Sequence, residues 1–473
     1  MPARALPARW SIAALALVTT LLSACGGGGG GGGGGGNGTS GTCGETARKQ
    51  WVLSTAREWY LFPETLPATV NPGDYATAED LLDALTANAR ALGKDRHFSY
   101  LTTKAAESAL LGEGQFNGYG FRTRTDPVNR PMLLDVFAAS PAADAGLQRG
   151  DEIIAVDQGS GFVPVSQSLA GGGSINDLLG PADVGVTRGL RLLRNGSSFD
   201  VSMTKRTVTI DPVPDDFGVK VLPLAGTSGV GYVHLRTYIS TADAQLRDAF
   251  AQMRTAGIQY YIIDLRYNGG GLVSVAQLLN DLLGDARSTS DVQFHVTYNA
   301  NKSGRNSTVT FQPRPQSVQP VRIAFLTTDG TASASEININ TLKPYVETAI
   351  VGDDTYGKPV GQEAFDLASS CQDRLRLITF KTTNSLHQGD YYSGIASSMN
   401  FACAATDTLT QSMSSTADGL TSEALHWLGT GACTSVITAV TPSGAAKSGD
   451  EARKHFPRSR HPSAAEFWIP GIS

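Results

Sequence analysis

Two segments, DLRYNGGG (264–271) and DGTASASE (329–336), hold residue types that could bring about attack on a carbonyl. The second carries Ser333 and Ser335 among small residues, and Ser333-x-x-Glu336 reads as a capping box that opens a helix. A serine hydroxyl is a weak nucleophile until a neighbouring group takes its proton. No histidine lies in a comparable loop, and nothing around His387, the nearest later one, resembles a triad. Lys358, in TYGKPVGQ (355–362), is the better base. Its glycine, proline and apolar neighbours suit a partly desolvated cleft, where burial favours the neutral amine. Gln362 could orient that amine if 358–362 form a helical turn, which Pro359 at the first helical position favours. In an extended strand the two positions stand roughly 13 Å apart.

Other chemistries fail on spacing. YYIIDL followed by NGGG lacks the GxGxxG of a dinucleotide loop. Gly352–Lys358 fits GxxxxGK, but Pro359 stands where a Mg²⁺-binding hydroxyl is needed, and Asp353 and Asp354 would face the phosphates. The seven histidines are scattered without HExxH, and no CxxC is present, so neither a metal centre nor a cofactor is expected.

The elements that must hold these loops alternate between strand and helix. VGYVHLRTYI (230–239), YYIIDL (260–265), VRIAFLTT (321–328) and TAIVG (348–352) read as strands. ADAQLRDAFAQMRTAG (242–257), LVSVAQLLNDLLG (272–284) and ASEININTLKPY (334–345) read as helices. This alternation predicts βαβ units and a largely parallel sheet, with sites at the carboxyl ends of the strands. Upstream, WVLSTAREWYLF and AEDLLDALTANARAL have helical spacing with a Pro/Gly break between them, giving a helical subdomain over 45–112.

In a β-rich module over 113–207, Gly118-Tyr119-Gly120-Phe121 and SPAADAGLQRGDEIIAVD (140–157) together resemble a PDZ domain. Such a loop grips a terminal carboxylate with backbone N–H groups while the peptide adds a strand. DLRYNGGG, TASASEI and TYGKPVGQ resemble, in this order, the signature segments of the C-terminal processing (tail-specific) serine peptidases. The helical start and inserted PDZ module match as well, so the resemblance spans about 45–430. It implies an α/β multi-domain protein whose catalytic core, 208–440, is a parallel-rich sheet with flanking helices of the ClpP/crotonase type. The implied roles are Ser333 as nucleophile, Lys358 as base, Gln362 as the group placing it, and Gly270 and Ala334 as oxyanion donors. The 25-residue serine-to-lysine spacing is the family's and selects Ser333 over Ser335. Asp264 and Arg266 are expected to brace the loop as an ion pair. Two departures stand out: Pro359 replaces a usual glycine, and GIASSMNF (394–401) stands where Gly-Ile-x-Pro-Asp is common. The implied activity is endopeptidase cleavage near the C-termini of envelope proteins. A non-catalytic peptide-binding protein on the same fold is the alternative, and the presence of every catalytic side chain argues against it.

The ends of the sequence bear on compartment. Arg4 and Arg9 precede the apolar run 11–22, which is short for a membrane span and suits a signal peptide over 1–24. Leu22-Ser23-Ala24-Cys25 resembles a bacterial lipobox with Cys25 as the lipidated residue, and the glycine-rich 25–44 reads as a tether. Gly26 lacks the aspartate of inner-membrane retention, which points to the outer membrane and the periplasmic side. The formal net charge of −5 and the absence of a dense Lys/Arg run argue against nucleic acid as a partner and leave protein substrates. Cys43, Cys371, Cys403 and Cys433 form an even set, as disulfides in an exported protein would, with three pairings open. Cys371 and Cys403 bracket the modified 394–401 region, as a staple across it would. The polar, proline-rich 441–473 is expected to be disordered.

Overall fold

In the computed structural model the described residues are 42–126, 128, 130–171, 173–438 and 463–473. The expected signal peptide, Cys25 lipidation and most of the glycine tether lie outside them, as do 441–462 of the expected disordered tail.

The centre is a six-stranded sheet. Its strands run in the order Val219–Leu222, Val230–His234, Tyr260–Asp264, Arg322–Thr327, Glu347–Gly352 and Phe401–Ala404. All neighbouring pairs are parallel except the first, which is an antiparallel edge. The inner strands are continuous apolar runs because both faces are covered. Val233, Ile263, Phe325 and Ile350 point towards the helices Ala242–Thr255, Val273–Leu282 and Ala334–Leu342. Tyr232, Ile262, Ala324, Leu326 and Val351 point the other way, onto the helix Gly419–Thr430 and its buried Trp427. The loops after Asp264 and Thr327 leave the same, carboxyl, end of the sheet.

A second, antiparallel sheet is not among the elements expected from sequence. Tyr100–Thr103, Val292–Tyr298 and Val360–Asp366 pair with the long strand Asp373–Asn384, and Ser307–Thr310 extends it. The helices Glu45–Trp59 and Ala78–Ala91 pack on this sheet through Val52, Leu81, Leu85, Leu375 and Leu377. Cys43–Cys371 ties the start of the first helix to it, and Cys403–Cys433 joins the central sheet's edge to the segment after Gly419–Thr430. Cys371 and Cys403 are therefore not paired with each other.

The β-rich module has its own sheet, in the order Phe121–Thr125, Pro131–Val136, Glu152–Asp157, Thr187–Arg194 and Ser197–Thr204. Its core includes Tyr119, Phe121, Leu133, Ile153, Val156 and Leu190. The strands Gln115–Gly118 and Arg206–Thr209 pair where the chain enters and leaves.

One expectation is overturned here. Residues 463–473 are ordered: Ala464–Trp468 is a short helix capped by Ser463 and Glu466, and Ile472 makes an antiparallel bridge to Arg122. The polar composition of 441–473 as a whole hides Trp468, Ile469 and Ile472, which are 7%, 2% and 2% exposed.

Candidate active site

The strand Arg322–Thr327 turns sharply into the helix Ala334–Leu342, and Ser333 sits at the corner with φ 56° and ψ −112°. This positive-φ conformation costs a non-glycine residue on the order of 1–3 kcal/mol and persists where surrounding bonds impose it. Those bonds are present. Ala332 N–H donates to Asn268 O at 2.9 Å, Ser335 Oγ to the same oxygen at 3.0 Å, and Thr331 Oγ1 to Leu265 O at 2.8 Å. The two serines thus differ in situation: Ser335 is buried and bonded to the backbone, while Ser333 is partly exposed at the turn.

Glu336 fixes the corner to the next loop. Its Oε2 accepts the backbone N–H of Ser333 and that of Lys358, each at 2.8 Å. Its Oε1 accepts Thr355 Oγ1 at 2.6 Å and Gly357 N–H at 2.7 Å. The side chain is fully buried, and burial pushes its carboxyl pKa up against the four hydrogen bonds that favour the charged form. The sequence marks Glu336 only as a helix cap, because its neighbours are mostly small or polar and the further donors come from the distant 355–358 loop.

Lys358 follows the strand Glu347–Gly352 in a loop held from three sides. Buried Arg96 donates to Tyr356 O at 2.8 Å and to Gly357 O, and its guanidinium lies 4.2 Å from the Tyr356 ring centroid. Ile395 N–H bonds Thr355 Oγ1 at 3.1 Å and Ala396 N–H bonds Asp354 Oδ1 at 2.9 Å, so the atypical GIASSMNF segment braces this loop. The amine itself lies among rings, 5.0 Å from the Phe98 centroid and 5.9 Å from that of Trp468. Lys358 Nζ and Gln362 Oε1 are 3.4 Å apart, and Gln362 Nε2 donates to Phe98 O. The helical turn expected for 358–362 does not form: Gln362 lies in the strand Val360–Asp366. A bulge between Gly361 and Gln362 breaks the regular register, and the two long side chains close the remaining distance.

The glycine loop lies against the serine. A Cβ on Gly270, whose φ is +104°, would fall 2.8 Å from Ser333 Cβ and 3.0 Å from Ala334 N. Gly270 N–H donates to Asn268 Oδ1 at 2.9 Å, so one of the two expected oxyanion donors is engaged within its own loop. Below, Arg266 contacts Asp264, Asp407 and Asp418 at 2.7–2.9 Å, and Tyr267 Oη bonds Asp407. Burial pushes the Asp407 carboxyl up, but Arg266 and Arg149 outweigh it and hold it at about 2. Asp264 is likewise held low, chiefly by Arg266 against burial.

In the β-rich module, Gly120 and Phe121 N–H donate to Ser473 O at 2.8 and 3.2 Å. Gly118 lies close beneath the same residue, where an added Cβ would come 2.8 Å from Ser473 C, and Tyr119 is buried in the module core. Ser333, Lys358, Gln362, Gly270 and Ala334 thus converge on one corner, and the 118–121 loop lies apart from it, with residues 463–473 touching both. Cys25 lies outside the described residues. Phe98, Arg96, Glu336 and Trp468 are the neighbours that sequence reasoning did not assign.

The family model for Peptidase family S41 matches residues 229–395, and that for the Peptidase S41 N-terminal domain matches 47–100. A carboxyl-terminal-processing protease of Synechocystis sp. is 26% identical over 272 residues, which is 57% of this chain and 59% of that protein. A chloroplastic C-terminal processing peptidase of Tetradesmus obliquus is 29% identical over 267 residues, 53% of each chain. The chain therefore spans little more than half the length of these curated relatives. A crystal structure of a Bacteroides fragilis chain described as an S41 protease superposes with a TM-score of 0.61 at 23% identity, covering 79% of this chain and 96% of that one.

Proposed function

Because this chain belongs to peptidase family S41, we propose that it is a serine endopeptidase of the Ser–Lys type that cleaves proteins near their C-termini. The observation that carries the reading is Glu336, whose single Oε2 holds the backbones of Ser333 and Lys358 side by side.

In the proposed reaction, Ser333 Oγ adds to the substrate carbonyl while Lys358 Nζ takes its proton. Gln362 and the Phe98 ring keep the amine aimed. The oxyanion forms beside Ala334 N–H, at the N-terminus of Ala334–Leu342, where orphan N–H groups and the helix dipole favour negative charge. Gly270 N–H joins by exchanging its bond with Asn268. The amine then returns its proton to the leaving nitrogen, and water repeats the sequence to release the acyl group. The PDZ-type module over 113–207 captures the substrate's terminal carboxylate on Gly118–Phe121. The proposed setting is the periplasmic side of a bacterial envelope, with Cys25 as the lipid anchor.

Cleavage of a disordered protein such as casein, compared with a simple ester, tests the reading. Peptide-bond hydrolysis that Ser333→Ala abolishes is the expected result. Peptide binding without hydrolysis in the unaltered chain would move the protein to the binding class.

A further inference from the structure

Residues 471–473 of this chain lie as a short strand along the 121–123 edge of the β-rich module. Besides the two bonds to its carbonyl oxygen, Ser473 donates its N–H to Phe121 O at 2.9 Å, and Thr123 N–H donates to Gly471 O at 2.7 Å. This is antiparallel strand addition, the way extended peptides bind exposed sheet edges. Ile472 is 2% exposed and belongs to the apolar cluster of Phe116, Val208 and Ile210. Gly471 has φ +73°, and a Cβ there would sit 1.9 Å from Thr123 O, so this position accepts only glycine. Asn176 reads two points of the segment, accepting Ser473 Oγ at 2.8 Å and donating to Glu466 Oε2 at 2.9 Å.

The same segment reaches the Ser333 corner. Trp468 O and Pro470 Cδ lie 2.6 and 2.9 Å from the place a Cβ would occupy on Gly269, two residues before Gly271 in the glycine loop. The Trp468 ring faces Lys358 Nζ, and Phe467 stacks on Tyr100 with centroids 3.7 Å apart and planes 3° from parallel. One continuous stretch therefore touches the 118–121 loop, the glycine loop and Lys358.

We propose that residues 463–473 are an intramolecular ligand of the peptide groove, which an external chain must displace before it reaches Ser333. Chains that displace it share its chemistry: a small polar residue at the Gly120 and Phe121 N–H groups, a buried aliphatic before it, glycine before that, and an aromatic three positions before the glycine. The inference rests on the peptidase reading for its link to catalysis, though not for the binding itself. Tethering gives such a ligand an effective concentration that a free peptide must exceed.

The test uses a fluorescent SAAEFWIPGIS peptide and anisotropy. A chain lacking 463–473 binds it, and the full chain binds it at least tenfold more weakly. Gly471→Val in the full chain restores binding, because it spoils the fit of the segment and leaves the groove intact. This variant also carries the test if the shortened chain does not fold. On a substrate ending in the same residues, Gly471→Val in the full chain lowers KM. Equal affinity in full and altered chains, or no binding by a folded altered chain, overturns the proposal. Binding that follows the expected order with no hydrolysis in any variant refutes the peptidase reading alone and leaves this one standing.

Discussion

One carboxylate oxygen, Glu336 Oε2, accepts the backbone N–H groups of both Ser333 and Lys358 at 2.8 Å. The two residues come from different loops, each following a strand of the central sheet, so this oxygen fixes their relative position independently of their side chains. Glu336→Ala leaves Ser333, Lys358 and Gly357 N–H and the Thr355 hydroxyl without their acceptor in a buried place. Each orphaned donor costs about 1–3 kcal/mol. The expected result is a loss on the order of 4 kcal/mol or more in urea unfolding, together with a fall in kcat/KM on the order of 100-fold or more. Wild-type turnover by a folded Glu336→Ala protein would count against the positioning role.

Gln362 meets Lys358 Nζ at 3.4 Å and is itself held by Phe98 O. Gln362→Ala removes the polar partner that aims the amine and leaves the substrate contacts alone. We expect kcat to fall on the order of tenfold with KM nearly unchanged, as steady-state kinetics normalised to titrated active sites will report. Gln362→Glu should behave differently from Gln362→Ala, since a carboxylate there attracts the ammonium form and opposes proton acceptance.

Acid should weaken the fold through the Arg266 hub. Asp407 has a folded pKa of about 2, below the ~3.9 of a free aspartate. A depressed carboxyl contributes stability that is fully present above the unfolded value and is lost as pH falls through the folded one. The window is therefore about pH 4 down to 2, and the size is on the order of 2 kcal/mol. Urea midpoints measured between pH 6 and 2.5 should drop in the lower part of that range. Asp407→Asn should be less stable at pH 6 and should lose this part of the slope.

The disulfides make a covalent prediction. Peptide mapping of the unreduced protein should recover Cys43 with Cys371 and Cys403 with Cys433. The first closes 328 residues of chain, so Cys43→Ser should lower stability by about 2–5 kcal/mol. A Cys371–Cys403 peptide would contradict the placement of the N-terminal helices on the antiparallel sheet.

The sequence made the Ser333 corner and the glycine loop legible because both follow strong apolar strands and begin helices, a pattern with a local physical cause. The parallel order of the central sheet followed from the strand–helix alternation. The antiparallel sheet was not legible: Tyr100–Thr103 and Val360–Asp366 are short, partly exposed strands whose pairing with Asp373–Asn384 is set by tertiary contacts. For the same reason the Lys358–Gln362 approach was assigned to a turn when it arises across a bulged strand. Trp468 and Ile472 were lost in the average of a polar stretch, although single apolar residues are what anchor such a segment. Disulfide pairing depends on which distant segments meet, and spacing carries no such information.

The central claim is that Lys358 takes the proton from Ser333, and the acylation rate of Ser333 by a fluorophosphonate probe measures this most directly. The account predicts labelling of the unaltered protein, none in Ser333→Ala, and labelling slowed by at least 100-fold in a folded Lys358→Ala. Labelling of Ser333→Ala, or an unchanged rate in Lys358→Ala, would contradict it.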